Sequence, residues 1–162
     1  MAKDKFPVTP AVRELRRFKI DFTPFVYDYV EKGGAKHSAE VLGVDAYDVI
    51  KTIVMEDESQ KPYVVLMHGD KEISAKNLAR EIGVKTMKPC EPDTANKHTG
   101  YLVGGTSPFG TKKSMTIFME RTIADIDKIY INGGKRGFLV SMKSSELIRA
   151  LKPVLVNVAI DK

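Results

Sequence analysis

At 162 residues, with 43% apolar and 29% charged side chains, the chain is long enough to bury a core without disulfides or metal, and no apolar run approaches a membrane span. Cys90 is the only cysteine, which excludes an internal disulfide and a cysteine-based metal site and points to the cytoplasm. Lysine and arginine number 26 against 21 acidic residues; the formal charge of +5 suits an anionic partner such as tRNA, and equally a solubilising surface.

The N-terminal run Met-Ala-Lys-Asp-Lys-Phe-Pro has no signal-peptide hydrophobic region. Thr9-Pro10 reads as a helix start, a hydroxyl cap followed by proline at the first helical position, with Val12 and Leu15 on its apolar face. Phe22 to Tyr29 reads as a strand that Pro24 pushes to a sheet edge, and Gly33-Gly34 breaks it. Ser38 to Leu42 belongs to a short helix stopped by Gly43, and Asp45 caps a single turn running into Val49. Lys51 to Met55 and Tyr63 to Met67 form a hairpin. Ser74 caps a helix with Leu78, Ala79 and Ile82 on one face and Gly83 as its stop.

Val84 to Met87 reads as a short strand, and Pro92 opens a helix that ends at Gly100. Tyr101 to Val103, Met115 to Met119 and Ile129 to Asn132 read as strands, and the Asn132 to Gly137 turn joins the last of these to Phe138–Met142. Ser144 caps a final helix through Leu151, and Val154 to Ile160 reads as one closing strand. Strands interspersed with short helices predict an α/β or α+β fold with a mixed sheet that curls into a barrel, in one domain over residues 1–162.

Two features carry chemistry. The run Thr99 to Gly110 holds four glycines and a proline, the composition of a loop whose backbone approaches a ligand closely. Lys51 shares a strand face with Ile53 and Met55, so its ammonium either snorkels to water or stands at a pocket mouth opposite that loop. The spacing of Gly105 to Gly110 approaches that of a phosphate loop, yet Thr111-Lys112 stands where Lys-Ser/Thr is required. Ser107 is no nucleophile elbow, because Phe109 occupies the second glycine's place. His37, His68 and His98 lack metal-ligand spacing and read as surface or capping residues, so no metal is expected. Cys90 reads as a structural or incidental thiol.

Four motifs in register resemble the YbaK/EbsC family of aminoacyl-tRNA deacylases, related to the inserted editing domain of bacterial prolyl-tRNA synthetase. They are Thr9-Pro10-Ala11-Val12, Val49-Ile50-Lys51-Thr52, the Thr99 to Gly110 loop with its Gly-x-x-x-Pro element at Gly104 to Pro108, and the hairpin turn Ile129 to Gly137. The resemblance implies a barrel-like mixed sheet flanked by helices. It also implies cofactor-free hydrolysis of the ester between a wrong amino acid and tRNA, a reaction sometimes classed with lyases for Cys-tRNA(Pro). It assigns Lys51 the essential electrostatic role, and the backbone of Gly104, Gly105, Thr106, Ser107 and Pro108 the second wall.

Tyr27 matches a pocket tyrosine, or is an aromatic core residue. Thr52 bonds substrate or packs. Asn132 bears on the pocket, and Lys112, Lys113, Lys135 and Arg136 hold acceptor-stem phosphates or are solvated turn residues. The implied partner is tRNA, with prolyl-tRNA synthetase as a second one, and no membrane. The chain departs from the family at Asn132, where serine or threonine is usual, and at Leu139, where the Cys-tRNA(Pro) branch often has an acid. Alanine, serine, threonine or a non-protein amino acid therefore stand beside cysteine as the acyl group. A non-catalytic tRNA-binding module, or a pocket for nucleotides or aminoacyl derivatives, are the competing readings.

Overall fold

A computed structural model describes residues 5–162, and the reading of the N-terminal run falls largely outside them. In α1 (Pro10–Arg17) the cap forms as expected, with Thr9 Oγ1 accepting from Val12 N at 3.1 Å. The same hydroxyl donates to the Gly133 carbonyl, 124 residues away, and so ties the helix start to the late hairpin. β1 (Thr23–Val26) is shorter than the aromatic run suggested, and it is an edge strand paired only with β8 (Phe138–Lys143), the position that tolerates Pro24. α2 (Gly34–Leu42) begins at the glycine pair and ends in left-handed Gly43.

β2 (Val49–Asp57) and β3 (Pro62–His68) form the expected hairpin. β4 (Lys71–Ile73) carries no sequence signal strong enough to be read and forms by pairing with the distant β10 (Ala159–Asp161). α3 (Ala75–Ile82) is capped by Ser74 and stopped by Gly83. β5 (Met87–Pro89) lies later than predicted, and α4 (Pro92–Thr99) runs to Gly100. Tyr101 to Val103 is not a strand. Tyr101 is buried and donates its hydroxyl to the Phe109 carbonyl at 2.6 Å, while Leu102 and Val103 are exposed in a turn.

β6 (Thr116–Glu120) and β7 (Lys128–Lys135) follow, and then α5 (Ser144–Leu151) after β8. Ser144 does not cap α5: Lys143 holds that position, and the Ser144 hydroxyl donates instead to the Ile126 carbonyl. The expected closing strand is two: β9 (Val154–Val156) extends the main sheet beside β6, and β10 leaves to join β4. Glu120 divides them, its carboxylate accepting from Val158 N at 2.6 Å and Ala159 N at 2.9 Å.

The main sheet is mixed, in the order β1-β8-β7-β2-β3-β6-β9, with β5 added to one side of β2. Its curl stops short of a closed ring of strand pairs, with β1 and β9 as its two ends among the described residues. β2 lies at the centre, and its period of two divides the core. Ile50 packs with Ala11, Leu15, Ile131 and Leu147 under α1 and α5. On the opposite face α2 brings Ala39 against Val49, and α3 brings Leu78 and Ala79 against Met55. The two residues between them on that face, Lys51 and Ile53, are only half-buried.

A cavity where two parallel strands part

β2 and β7 run parallel for two residues only, Val49 and Ile50 opposite Tyr130 and Ile131. Beyond Ile131 the β7–β8 ladder shifts register between Asn132 and Lys135, which carries β7 away from β2. β5 takes up the same edge of β2 at Met55, with Cys90 N donating to the Val54 carbonyl at 2.9 Å. Among the described residues, the stretch of β2 between them has no strand partner on that side. Alternation along a strand puts the peptide groups of Thr52 on the same edge as the Val54 carbonyl, so they open into the gap. A cavity of about 580 Å³ occupies it, at the kind of strand divergence where α/β sheets bind ligands.

Lys51 lines this cavity, as do Tyr27, Thr52, Gly104, Thr106, Asn132 and Arg136. The lysine and the glycine loop, 53 positions apart in the chain by their numbers, thus share one enclosure. Lys51 Nζ donates to the Lys71 carbonyl on β4. Burial pulls its ammonium below the ordinary lysine range, the Lys162 ammonium adds to this, and Glu72 and Asp70 oppose it. Thr52 Oγ1 is buried with no hydrogen-bond partner, the only such side-chain atom among the described residues. Burial also raises the Tyr27 phenol, against a hydrogen bond from Ser38 that lowers it.

The loop is held from the late hairpin. Asn132 Nδ2 donates to the Gly104 carbonyl at 3.2 Å, while its Oδ1 accepts from Gly134 N at 2.6 Å and Lys135 N at 3.1 Å. Arg136 Nε donates to the Val103 carbonyl at 3.0 Å, and its guanidinium lies 5.2 Å from the Tyr29 ring centre. Close approach explains two of the glycines. Gly104 has φ +94° and a Cβ there would stand 2.6 Å from the Tyr29 hydroxyl; a Cβ on Gly105 would stand 2.6 Å from Arg136 N.

Some expected wall residues lie elsewhere. Gly105, Ser107 and Pro108 are buried behind the lining, and Ser107 Oγ accepts from Phe109 N at 3.1 Å to shape the turn. The Gly105 amide is spent inside the loop on the Leu102 carbonyl at 2.8 Å. Lys112, Lys113 and Lys135 are exposed outside the cavity.

Sequence reasoning missed Tyr29, His37 and Ser38, which β1 and α2 bring to the lining from a region whose only signals are aromatic content and a glycine pair. His37 is a cavity residue, with Nε2 3.1 Å from the Asp28 carbonyl, whereas His68 is a fully buried core histidine. Burial, and the Glu56 carboxylate beside it, push the Cys90 thiol up to about 12, away from the thiolate form. No cluster of three potential metal ligands occurs among the described residues. None of the described helices is long and apolar enough to cross a membrane.

Residues 32–150 match a family model described as the aminoacyl-tRNA editing domain. A protein of Enterococcus faecalis provisionally named Cys-tRNA(Pro)/Cys-tRNA(Cys) deacylase EbsC is 27% identical over 91% of this chain and 92% of its own. A proline–tRNA ligase of Limosilactobacillus fermentum is 25% identical over 85% of this chain, which spans only 24% of that enzyme. A crystal structure provisionally described as a trans-editing enzyme for prolyl-tRNA synthetase superimposes with TM-score 0.81 at 17% identity, over 95% of this chain and 99% of the other, which bears on fold alone. The matched span includes Lys51, the glycine loop and the late hairpin, and the chain belongs to the aminoacyl-tRNA editing domain family, in its YbaK/EbsC branch.

Proposed function

We propose that the protein is a cytoplasmic deacylase, with residues 1–162 forming one domain, that hydrolyses the ester of mischarged tRNA(Pro). The observation that carries this reading is the enclosure shared by Lys51 with Gly104 and Thr106. An aminoacyl ester is labile, so the site needs positioning and donors aimed at the oxygen that gains charge, not a strong nucleophile. A half-buried ammonium acts there with far more force than in water. In this reading Lys51 exchanges the Lys71 carbonyl for the ester oxygen or the terminal ribose. Thr52 Oγ1 gains the partner it lacks, and the cavity face of Gly104 and Thr106 confines the acyl side chain. The attacking group is water or the substrate's own hydroxyl or thiol.

Leu139 stands in the lining at the position where the cysteine-specific branch often carries an acid, so alanine and serine are candidates equal to cysteine. tRNA(Pro) charged with each of the three is the test. Turnover of at least one is expected, and Lys51→Ala should lower it by about 10²–10³. Activity should be full while Lys51 is protonated and fall as pH rises through its depressed value, so the alkaline limb starts below that of an ordinary lysine. Equal inactivity of wild type and variant on all three would leave a tRNA-binding module.

A further inference from the structure

A second concavity, about 430 Å³, lies between α3 and the approach to β5. Lys76 and Arg80 line it from the helix and Lys85 from the loop, and its lining contains no carboxylate. All three cations are exposed. Lys76 and Arg80 are four positions apart, so their side chains rise on one face with Cβ atoms about 5–6 Å apart. Arg80 Nη1 donates to Asn77 Oδ1 at 3.3 Å, a weak contact that leaves most of the guanidinium available. The neighbouring acids are committed to backbone: Glu58 accepts from Lys85 N at 3.0 Å and Thr86 N at 3.2 Å, and Glu81 from Asn157 N at 3.2 Å.

This groove is the cavity's neighbour. α3 packs on the face of β2 that Lys51 shares with Ile53 and Met55. The Lys71 carbonyl that accepts from Lys51 Nζ lies four residues before Ala75 at the groove's margin, a chain distance of at most about 14 Å. That is a span of a few nucleotides from an ester held at Lys51.

We propose that the Lys76–Arg80–Lys85 groove binds the phosphodiester backbone of the RNA whose acylated end enters the cavity. A concave set of cations, with the bordering carboxylates turned onto backbone amides, is an arrangement that suits RNA phosphates, whereas the turn lysines 112, 113 and 135 are exposed and line neither concavity. The choice of RNA as partner rests on the editing reading. The groove itself is tested without catalysis, by equilibrium binding of uncharged full-length tRNA(Pro) across a salt series.

The variant Lys76→Gln/Arg80→Gln/Lys85→Gln should bind about tenfold or more weaker at low salt, with the slope of log affinity against log salt reduced by about 2–3. The control Lys112→Gln/Lys113→Gln/Lys135→Gln removes the same charge and should lose much less. Affinity for a mononucleotide, adenosine monophosphate, too short to reach from cavity to groove, should not separate the two variants. Equal loss in both triples would reduce the effect to net charge and overturn the proposal, as would an unchanged slope in the first. Loss of tRNA binding in a protein that deacylates nothing would leave the groove standing and remove the deacylase reading.

Discussion

One rung apart on the β2–β3 ladder, Ile50 faces His68 and Lys51 faces Met67, and the two polar side chains have opposite fates. His68 is fully buried and fully satisfied. Its Nδ1 is 2.8 Å from the Tyr47 carbonyl, which can only accept, so that nitrogen carries the proton. Nε2 lies 2.6 Å from Thr122 Oγ1, a hydroxyl able to donate or accept, and the ring stacks on Tyr47 with centres 3.8 Å apart. Lys51 is half-buried and displaced from water, and beside it Thr52 Oγ1 has no partner at all. A polar cluster that closes on itself holds a fold together. One with a donor left over is what the proposed substrate would complete.

The contrast can be broken by mutation, starting with the largest effect. Lys51→Ala should cost about 10²–10³ in turnover while the midpoint of thermal unfolding stays near that of wild type. His68→Ala should do the reverse. It strands the Tyr47 carbonyl and Thr122 hydroxyl and opens a cavity, for a loss of about 2–4 kcal/mol in urea denaturation, with turnover retained by the folded fraction. A stable but inactive His68→Ala protein would show the two clusters to be one.

Gly104→Ala sharpens the comparison on the opposite wall. At φ +94°, with the Tyr29 hydroxyl 2.6 Å from the new Cβ, it should cost about 1–3 kcal/mol of stability. By displacing the loop it should also lower turnover about tenfold to a hundredfold. Thr52→Val comes last. Removing a hydroxyl that has no partner in the free protein should leave stability unchanged or raise it by about 1 kcal/mol, with turnover reduced less than tenfold. A clear loss of stability in Thr52→Val would mean that the hydroxyl is already satisfied.

What was legible in the chain was mostly local. The Thr9 and Ser74 caps, the left-handed stops at Gly43, Gly83 and Gly100, and the β2–β3 hairpin depend on residues within a few positions of one another. Lys51 and the glycine loop stood out because an inward lysine and a run of glycines are each costly without a reason. What stayed hidden depends on distant partners. β4 exists because β10 pairs with it, and the apolar run Val154 to Ile160 divides because Glu120 grips the backbone at Val158 and Ala159. Tyr101 to Val103 has strand composition, but the Tyr101 hydroxyl finds the Phe109 carbonyl and pulls the segment into a turn. His37 could not be told from a surface histidine until α2 was placed over the cavity.

The alternation along β2 has a further consequence. Ile50 and Val54 are buried, whereas Ile53 lies in the cavity wall between them in sequence, half-exposed. Enlarging or trimming the side chain at 53 therefore reshapes the room proposed for the acyl group, and alters only the buried edge of Ile53 that packs against the Met55 cluster. In the proposed reading, substrate range can drift from one amino acid to another by single steps at that position, at a smaller stability cost than at the fully buried positions of the same strand.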